Sequence, residues 1–411
     1  MAASMILYIL IGIIVFDYIL ERWLDYLNVS HRKPELPLEL QGLYDAEKYK
    51  QSQDYERINY RFSFIQSSYS FVLVLLLFIF GGFAFVDGIA RQLTQNPILI
   101  TISFFLIFGF VLDLLSTPFD IYGTFVIEQK FKFNTTTPKT YLIDKLKGWG
   151  LSLILGGSLL ALITWFYYAT TSMFWIYTWG AVIVYEIFIT MFYTSLILPL
   201  FNKQTPLEQG ELRTGIEALC KKADFKLDNI FVMDGSKRST KANAFFSGLG
   251  SRKRIVLYDT LIKDLTVGET IAVLAHEIGH NKKKHTQYNI VISFIQTGIV
   301  LYILSLFISN PQLSQALGYT GEQAVFHLGL IAFGILFSPV SHVLGIGMNV
   351  LSRRFEYQAD RFASQYYDGG LLASALKKLS INHLSNLTPH PVYVFFNYSH
   401  PPLLQRLRAL S

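Results

Sequence analysis

In the stretch Leu274-Ala275-His276-Glu277-Ile278-Gly279-His280, two imidazoles lie four residues apart and a carboxylate follows the first. On an α-helix that spacing stacks His276 and His280 one turn apart on the same face. Two imidazoles so placed can share one Zn²⁺, while Glu277 stands close enough to take a proton from a metal-bound water. The lead-in from Gly268 to Leu274 keeps apolar residues on one side and reads as helix. The competing reading is a core helix that happens to carry two histidines.

Two imidazoles do not complete a catalytic site, which takes three protein ligands and keeps one position open. The metzincin pattern would need a glycine at 283 and a histidine at 286, and the chain has Lys283 and Thr286. The third ligand must therefore come from elsewhere, and the best source is Ser352 to Asp360. Glu356 and Asp360 there are one helical turn apart and share a face. Glu356 can complete a two-His, one-Glu set, and Asp360 can take a hydrogen bond from the far nitrogen of a ligand histidine, fixing its tautomer. A surface helix with charge pairs to Arg353, Arg354 and Arg361 is the alternative. His285, five residues past His280, is expected on another face. His327 and His342 lie in an apolar run and read as structural. His400, ahead of Pro401 and Pro402, could reach the site as a donor to an oxyanion. Asn243 could fix a substrate carbonyl or simply sit in a turn. The strand-like run Ile255 to Tyr258 could offer an edge to an extended substrate.

The elements that must position these groups are mostly apolar. Hydrophobic residues make up 52% of the 411 and charged residues only 16%, against about 25% charged in ordinary soluble domains. Seven runs are long enough, or nearly so, to cross a hydrocarbon core of about 30 Å. They are Met5–Leu20, Tyr69–Val86, Pro97–Leu115, Gly150–Tyr168, Met173–Leu200, Ile290–Ile308 and Val325–Met348. With seven crossings, all lysines and arginines but Arg91 fall on one side, the side of the C-terminus. That bias marks this side as cytoplasmic and the N-terminus as lumenal or outside. The net charge of +6 thus follows the membrane and does not call for nucleic acid. The sequons at Asn28, Asn134, Asn386 and Asn397 lie on the cytoplasmic side and are expected to stay unglycosylated. Asp17 and Asp113 read as residues at helix ends, and Glu186 as lining a polar cavity. The single cysteine, Cys220, excludes an internal disulfide and a cysteine metal site.

The chain resembles the integral-membrane zinc CaaX prenyl proteases, the a-factor-converting type. The resemblance rests on the seven spans, the stretch from Gly123 to Phe131, and Asp234-Gly235-Ser236-Lys237-Arg238-Ser239. It continues through Ala242-Asn243-Ala244, the His276 to His280 motif, Glu356 to Asp360, and Ser399-His400-Pro401-Pro402. It implies a mainly α polytopic membrane protein whose seven helices enclose a polar chamber, with a zincin-like metalloprotease domain carrying a small β-sheet. Residues 1–200 would form an N-terminal membrane domain with two cytoplasmic connectors, and 201–411 a zinc metallopeptidase domain that includes the last two spans. The resemblance implies one Zn²⁺ per chain on His276, His280 and Glu356, Glu277 as base, and Asn243 and His400 as substrate- or transition-state-binding groups.

The implied activity is a zinc endopeptidase that cleaves the C-terminal tripeptide from prenylated CaaX proteins or peptides by Glu-assisted attack of zinc-bound water. Its partners would be the peptide and the lipid bilayer, with no nucleic acid and no obligate protein partner. The membrane would be the endoplasmic reticulum in a eukaryote, or the inner membrane in a bacterium. Two other readings stand beside it. One is a quality-control zinc endopeptidase acting on unprenylated membrane proteins. The other is a transporter with an incidental metal site, which would call for broken spans in inverted repeats, and none are evident.

Overall fold

A computed structural model describes residues 2–33, 35–36, 45–226, 229–248 and 254–410. From its sequence the polar connector Glu21 to Ser68 reads as helical, and part of it, at 34 and 37–44, lies outside them. Among the described residues, six helical stretches are long and apolar enough to cross a membrane. Helix α1 (Ala3–Ser30) is followed by α2 (Ala46–Ile79), α3 (Gly82–Leu93) and α4 (Pro97–Tyr122). The run 138–200 holds α5 (Pro138–Leu151), α6 (Gly157–Thr170) and α7 (Phe174–Phe192). Its 63 residues would span about 95 Å as one helix, and it folds back instead. Thr171 takes a positive φ of 48°, and the rings of Phe166 and Tyr177 stack across the reversal at 5.6 Å. The stretch therefore makes two crossings, and the crossings number seven.

The second span stops earlier than the hydropathy suggested. Gly81 adopts φ +62°, a conformation that favours glycine, and the chain bends there. Residues 82–93 form a separate helix, with Phe83, Asp87 and Ala90 turned inward. Asp87 accepts from His327 at 2.8 Å and from Arg91 at 2.7 Å. Asp113 departs from the helix-end reading, since α4 runs on to Tyr122, and so does Asp17, since α1 continues well beyond it to Ser30. It accepts a hydrogen bond from Ser338 at 2.5 Å and lies 3.3 Å from His342. Glu186 accepts from Ser293 at 3.2 Å. Asp113 pairs with Lys145 at 3.0 Å and accepts from Trp149.

No more than 17% of the most apolar window of any span is buried among the described residues, as expected of helices whose outer faces meet lipid. Two cavities of about 520 and 400 Å³ lie among the membrane helices, and Gln66 lines both. Their walls carry Asp17, Ser63, Asn59, Asp120 and Lys145. Asp17 and Asp120 thus face cavities that offer polar groups instead of hydrocarbon.

Beyond the fifth crossing the chain builds a four-stranded sheet with order β1-β2-β4-β3. The strands are β1 (Gln204–Pro206), β2 (Asn229–Met233), β3 (Ala244–Ser247) and β4 (Arg254–Tyr258). β2 and β4 run parallel, and β1 and β3 flank them antiparallel. The helices of this half are α8 (Glu211–Lys222), α9 (Asp259–Asp264), α10 (Val267–Lys282) and α11 (His285–Phe307). They continue as α12 (Pro311–Ala316), α13 (Phe326–Tyr366), α14 (Gly369–Asn382), α15 (Pro391–Asn397) and α16 (Leu403–Leu410). Ile216, Ile255, Leu257, Leu274 and Ile278 pack into one core between sheet and helices, each side chain contributing about 1.5–3 kcal/mol by leaving water. α13 is 41 residues long, about 60 Å. Its first half crosses the membrane, and its second half enters the core beside α10. A single helix thereby ties the bundle to the second half of the chain.

Candidate active site

α10 begins where the sequence says a helix should. Thr266 and Glu269 form a reciprocal capping box, and the carboxylate of Glu269 also accepts from Ser374 and Lys378 of α14, each at 2.7 Å. Burial would raise the Glu269 pKa, but the hydrogen bonds from Lys378, Ser374 and Thr266 hold it down at about 2. Further along, a methyl group on Gly279 would sit 3.1 Å from Ala359 Cα and 3.1 Å from Phe362 Cβ. The absence of a side chain at Gly279 lets α13 approach α10 closely, and Glu356 comes opposite the histidines.

His276, His280 and Glu356 each offer one ligand atom, and these lie within 4.8 Å of one another. The two Nε2 atoms are 3.1 Å apart. His280 Nε2 is 3.2 Å from Glu356 Oε1, and His276 Nε2 is 3.5 Å from Glu356 Oε2. A tetrahedral ion with ligands at about 2.0–2.1 Å has ligand–ligand edges of about 3.3 Å, which these separations match.

The outer contacts settle which nitrogens carry protons. His276 Nδ1 lies 2.8 Å from Asp360 Oδ1, an acceptor, so the proton is on Nδ1 and the lone pair on Nε2. His280 Nδ1 lies 3.1 Å from His285 Nδ1, whose Nε2 is 3.0 Å from Gln358 Oε1. With Gln358 oriented to accept, His285 donates from Nε2 and accepts from His280 at Nδ1. Both inward nitrogens then present lone pairs at 3.1 Å, and Glu356 Oε2 is buried without a hydrogen bond. Such an arrangement is repulsive until a cation stands in it, and the residues fit a metal ion. Burial would lower the His276 pKa, but without an ion the hydrogen bonds to Asp360 and Glu356 raise it to about 9, so a proton on Nε2 holds the place that a cation would take. The site therefore draws positive charge.

Glu277, one residue round the helix, lines the same cavity of about 440 Å³ with His276, His280, Glu356, Asn243 and His400. Burial raises the Glu277 pKa, opposed by His276 and His280, a setting that favours proton uptake. His400 Nε2 lies 3.3 Å from Glu356 Oε1, with its side chain 65% exposed to the cavity. Asn243 Oδ1 accepts from Ala244 N at 2.8 Å, which leaves its amide N–H groups free to donate. The seven residues picked from the sequence thus meet in one place, six lining the cavity and Asp360 behind His276.

Three features were not read from the sequence. His285 is not on another face of one continuous helix: α10 ends at Lys282, Lys284 takes φ +60°, and the new helix swings His285 beneath His280. It stacks on Phe355 at 4.0 Å. Arg406 is the second. It donates to both oxygens of Asp360, at 2.9 and 2.5 Å, and lies 3.4 Å from Glu356. The third concerns the sheet. β4, expected to offer a free edge, is enclosed between β2 and β3. The strand at the edge is β3, which starts beside Asn243 and lines the cavity through Ala244, Phe245 and Phe246.

Comparison with known proteins agrees along nearly the whole chain. Residues 25–203 match the model of the CAAX prenyl protease N-terminal region, described by five membrane helices, and residues 206–411 match that of peptidase family M48. The chain is 35% identical to the CAAX prenyl protease 1 homolog of Arabidopsis thaliana, over 98% of this chain and 96% of that protein. It is 32% identical to CAAX prenyl protease 1 of Saccharomyces cerevisiae, over 98% and 94%. The crystal structure of S. mikatae Ste24p superposes with a TM-score of 0.91 at 31% identity, covering 99% of both chains.

Proposed function

The chain belongs to peptidase family M48, and from that premise we propose that it is a zinc endopeptidase which removes the C-terminal tripeptide from prenylated CaaX proteins or peptides. His276, His280 and Glu356 hold one Zn²⁺, and residues 1–200 and 201–411 act as membrane and peptidase halves. The observation that carries the reading is the convergence of two imidazole lone pairs and an unpaired carboxylate oxygen beside Glu277. Zinc bound there supplies Lewis acidity to the scissile carbonyl and to water.

The chain's own residues do the rest. Glu277 takes the proton from the attacking water and returns it to the leaving amine. β3 pairs with the extended substrate along its open edge, and the Asn243 amide donates to a substrate carbonyl. His400 donates to the oxyanion that develops at the reacting carbon. Asp360 and Arg406 hold His276 in its tautomer, as Gln358 and His285 hold His280. The site opens to the cytoplasm, where prenylated C-termini are found, and the polar chamber accommodates the peptide within the bilayer.

Purified protein is expected to carry one zinc per chain and to cleave a farnesylated CaaX peptide at least tenfold faster than its unmodified twin, roughly the discrimination a buried apolar group supplies. Equal cleavage of the two peptides would turn the assignment to a quality-control protease. Zinc binding with no cleavage of either would remove the peptidase assignment.

A further inference from the structure

The segment leading into β3 is held by the membrane half of the chain. Arg238 O accepts from Thr135 N at 3.2 Å and from Thr136 Oγ1 at 3.1 Å, and Thr240 N donates to Phe133 O at 3.0 Å. Lys241 is gripped most firmly. Its Nζ donates to Glu128 Oε2 at 3.1 Å and to Tyr55 Oη at 3.0 Å, while Tyr55 Oη donates to Glu128 Oε1 at 2.5 Å. The same ammonium stands 4.4 Å from the ring centre of Phe133. Tyr55 belongs to α2, and Glu128 ends a π-helical turn over Gly123–Glu128. The extra residue of a π-turn rotates the downstream residues by about 100°, so the turn decides where the Glu128 carboxylate points. On the other side, Ala242 N donates to His383 Nε2 at 3.0 Å.

These contacts answer a geometric need. β3 has only four residues and, among the described residues, pairs with β4 alone. Its outer edge has to stay open for an extended peptide, so a further strand cannot set its position. We infer that Glu128 and Tyr55 are positioning residues for peptide binding: acting through Lys241, they fix Asn243 and the start of β3 over the ligand triad. The inference rests on the endopeptidase reading and adds that the membrane half controls how well the peptidase half holds its substrate.

Four variants test it: Tyr55→Phe, Glu128→Gln, Lys241→Met and the Glu128→Gln/Lys241→Met double. Tyr55→Phe is the mildest, since the ring stays against Phe131 and Phe133, at 4.8 and 5.3 Å, and only the hydroxyl goes. The measurements are kcat and KM on a cleavable extended peptide, zinc per chain, and the thermal midpoint in detergent. KM is expected to rise about tenfold in Glu128→Gln and Lys241→Met and about threefold in Tyr55→Phe. With kcat and zinc content near wild type, the double variant should be no worse than the worse single one. The inference is overturned if wild type cleaves and KM is unmoved in all four. It is equally overturned if KM, zinc content and midpoint all worsen together even in Tyr55→Phe, since that marks general loosening. Wild-type protein that binds zinc and cleaves nothing overturns the inference together with the reading on which it rests.

Discussion

In the proposed mechanism, Glu277 and the three ligand side chains divide two tasks that a substitution can separate. Glu277 makes no contribution to the ligand triad, whose members come from the two histidines and Glu356. Glu277→Gln is therefore expected to keep one zinc per chain while peptide cleavage falls by about 10²–10⁴-fold, the span of a lost general base. Metal analysis beside single-turnover rates checks it, and an unchanged rate would take Glu277 out of the mechanism. His285→Ala should do the converse. It leaves His280 Nδ1 without its acceptor and the ring free to turn, and zinc affinity is expected to drop about 10–100-fold, read by competition with a chelating dye. The spacing of four made the His276–His280 pair legible in the sequence, and the same spacing linked Glu356 with Asp360. His285 was not legible, because an angular count assumes one unbroken helix and Lys284 breaks it. Arg406 was not legible either, since it reaches Asp360 only through tertiary folding across 46 residues.

At the scale of elements, the site depends on where α10 crosses α13. Gly279→Ala places a methyl at 3.1 Å from Ala359 Cα, a backbone atom that cannot step aside. The helices must part, and a loss of about 1–3 kcal/mol is expected, with a lower zinc affinity as Glu356 withdraws. Chelator titration and denaturant unfolding would register both, and an unchanged zinc affinity would show that the crossing does not set the triad. Glu269 binds α10 to α14 and supplies a pH dependence of known sign. Its pKa is lowered on folding to about 2 from an ordinary value of 4.5. The folded state then binds fewer protons than the unfolded state in this window, so the stabilisation is complete above about pH 5 and is lost as pH falls toward 2. Glu269→Gln should lower the unfolding midpoint at pH 7, and the gap to wild type should shrink between pH 5 and pH 3. A gap independent of pH would assign Glu269 a packing role only. Strand formation at Arg254–Tyr258 was legible from its apolar content. Its place in the centre of the sheet was not, because the chain leaves β2, forms β3 at the edge and returns as β4 between the two, an order that local pattern does not encode.

For the whole molecule, the proposed sidedness in the membrane rests on the distribution of charge over seven crossings. Seven runs were legible as spans because hydropathy over about 20 residues measures what the hydrocarbon core requires. The end of the second was not, since residues 82–86 are apolar yet belong to α3, an amphipathic helix beyond the bend at Gly81. Arg91 sits on α3 and is held by Asp87, so the one basic residue on the side opposite the other lysines and arginines is neutralised by a partner and does not weaken the bias. A reversed insertion would have to carry the remaining lysines and arginines across the bilayer, at about 2.5–3.5 kcal/mol for each charge placed at a membrane centre. The loop between α12 and α13 is accordingly expected to face the lumen, with Asn28, Asn134, Asn386 and Asn397 on the other side. In a eukaryotic host, an Asn-Ser-Thr insertion between Gly321 and Glu322 should gain a glycan that endoglycosidase removes, while the parent protein should show no shift. A glycan on Asn386 or Asn397, or none on the inserted site, would invert the topology. It would also move the proposed ligand triad, carried by the second half of α13 and by α10, to the side of the membrane opposite its proposed substrate.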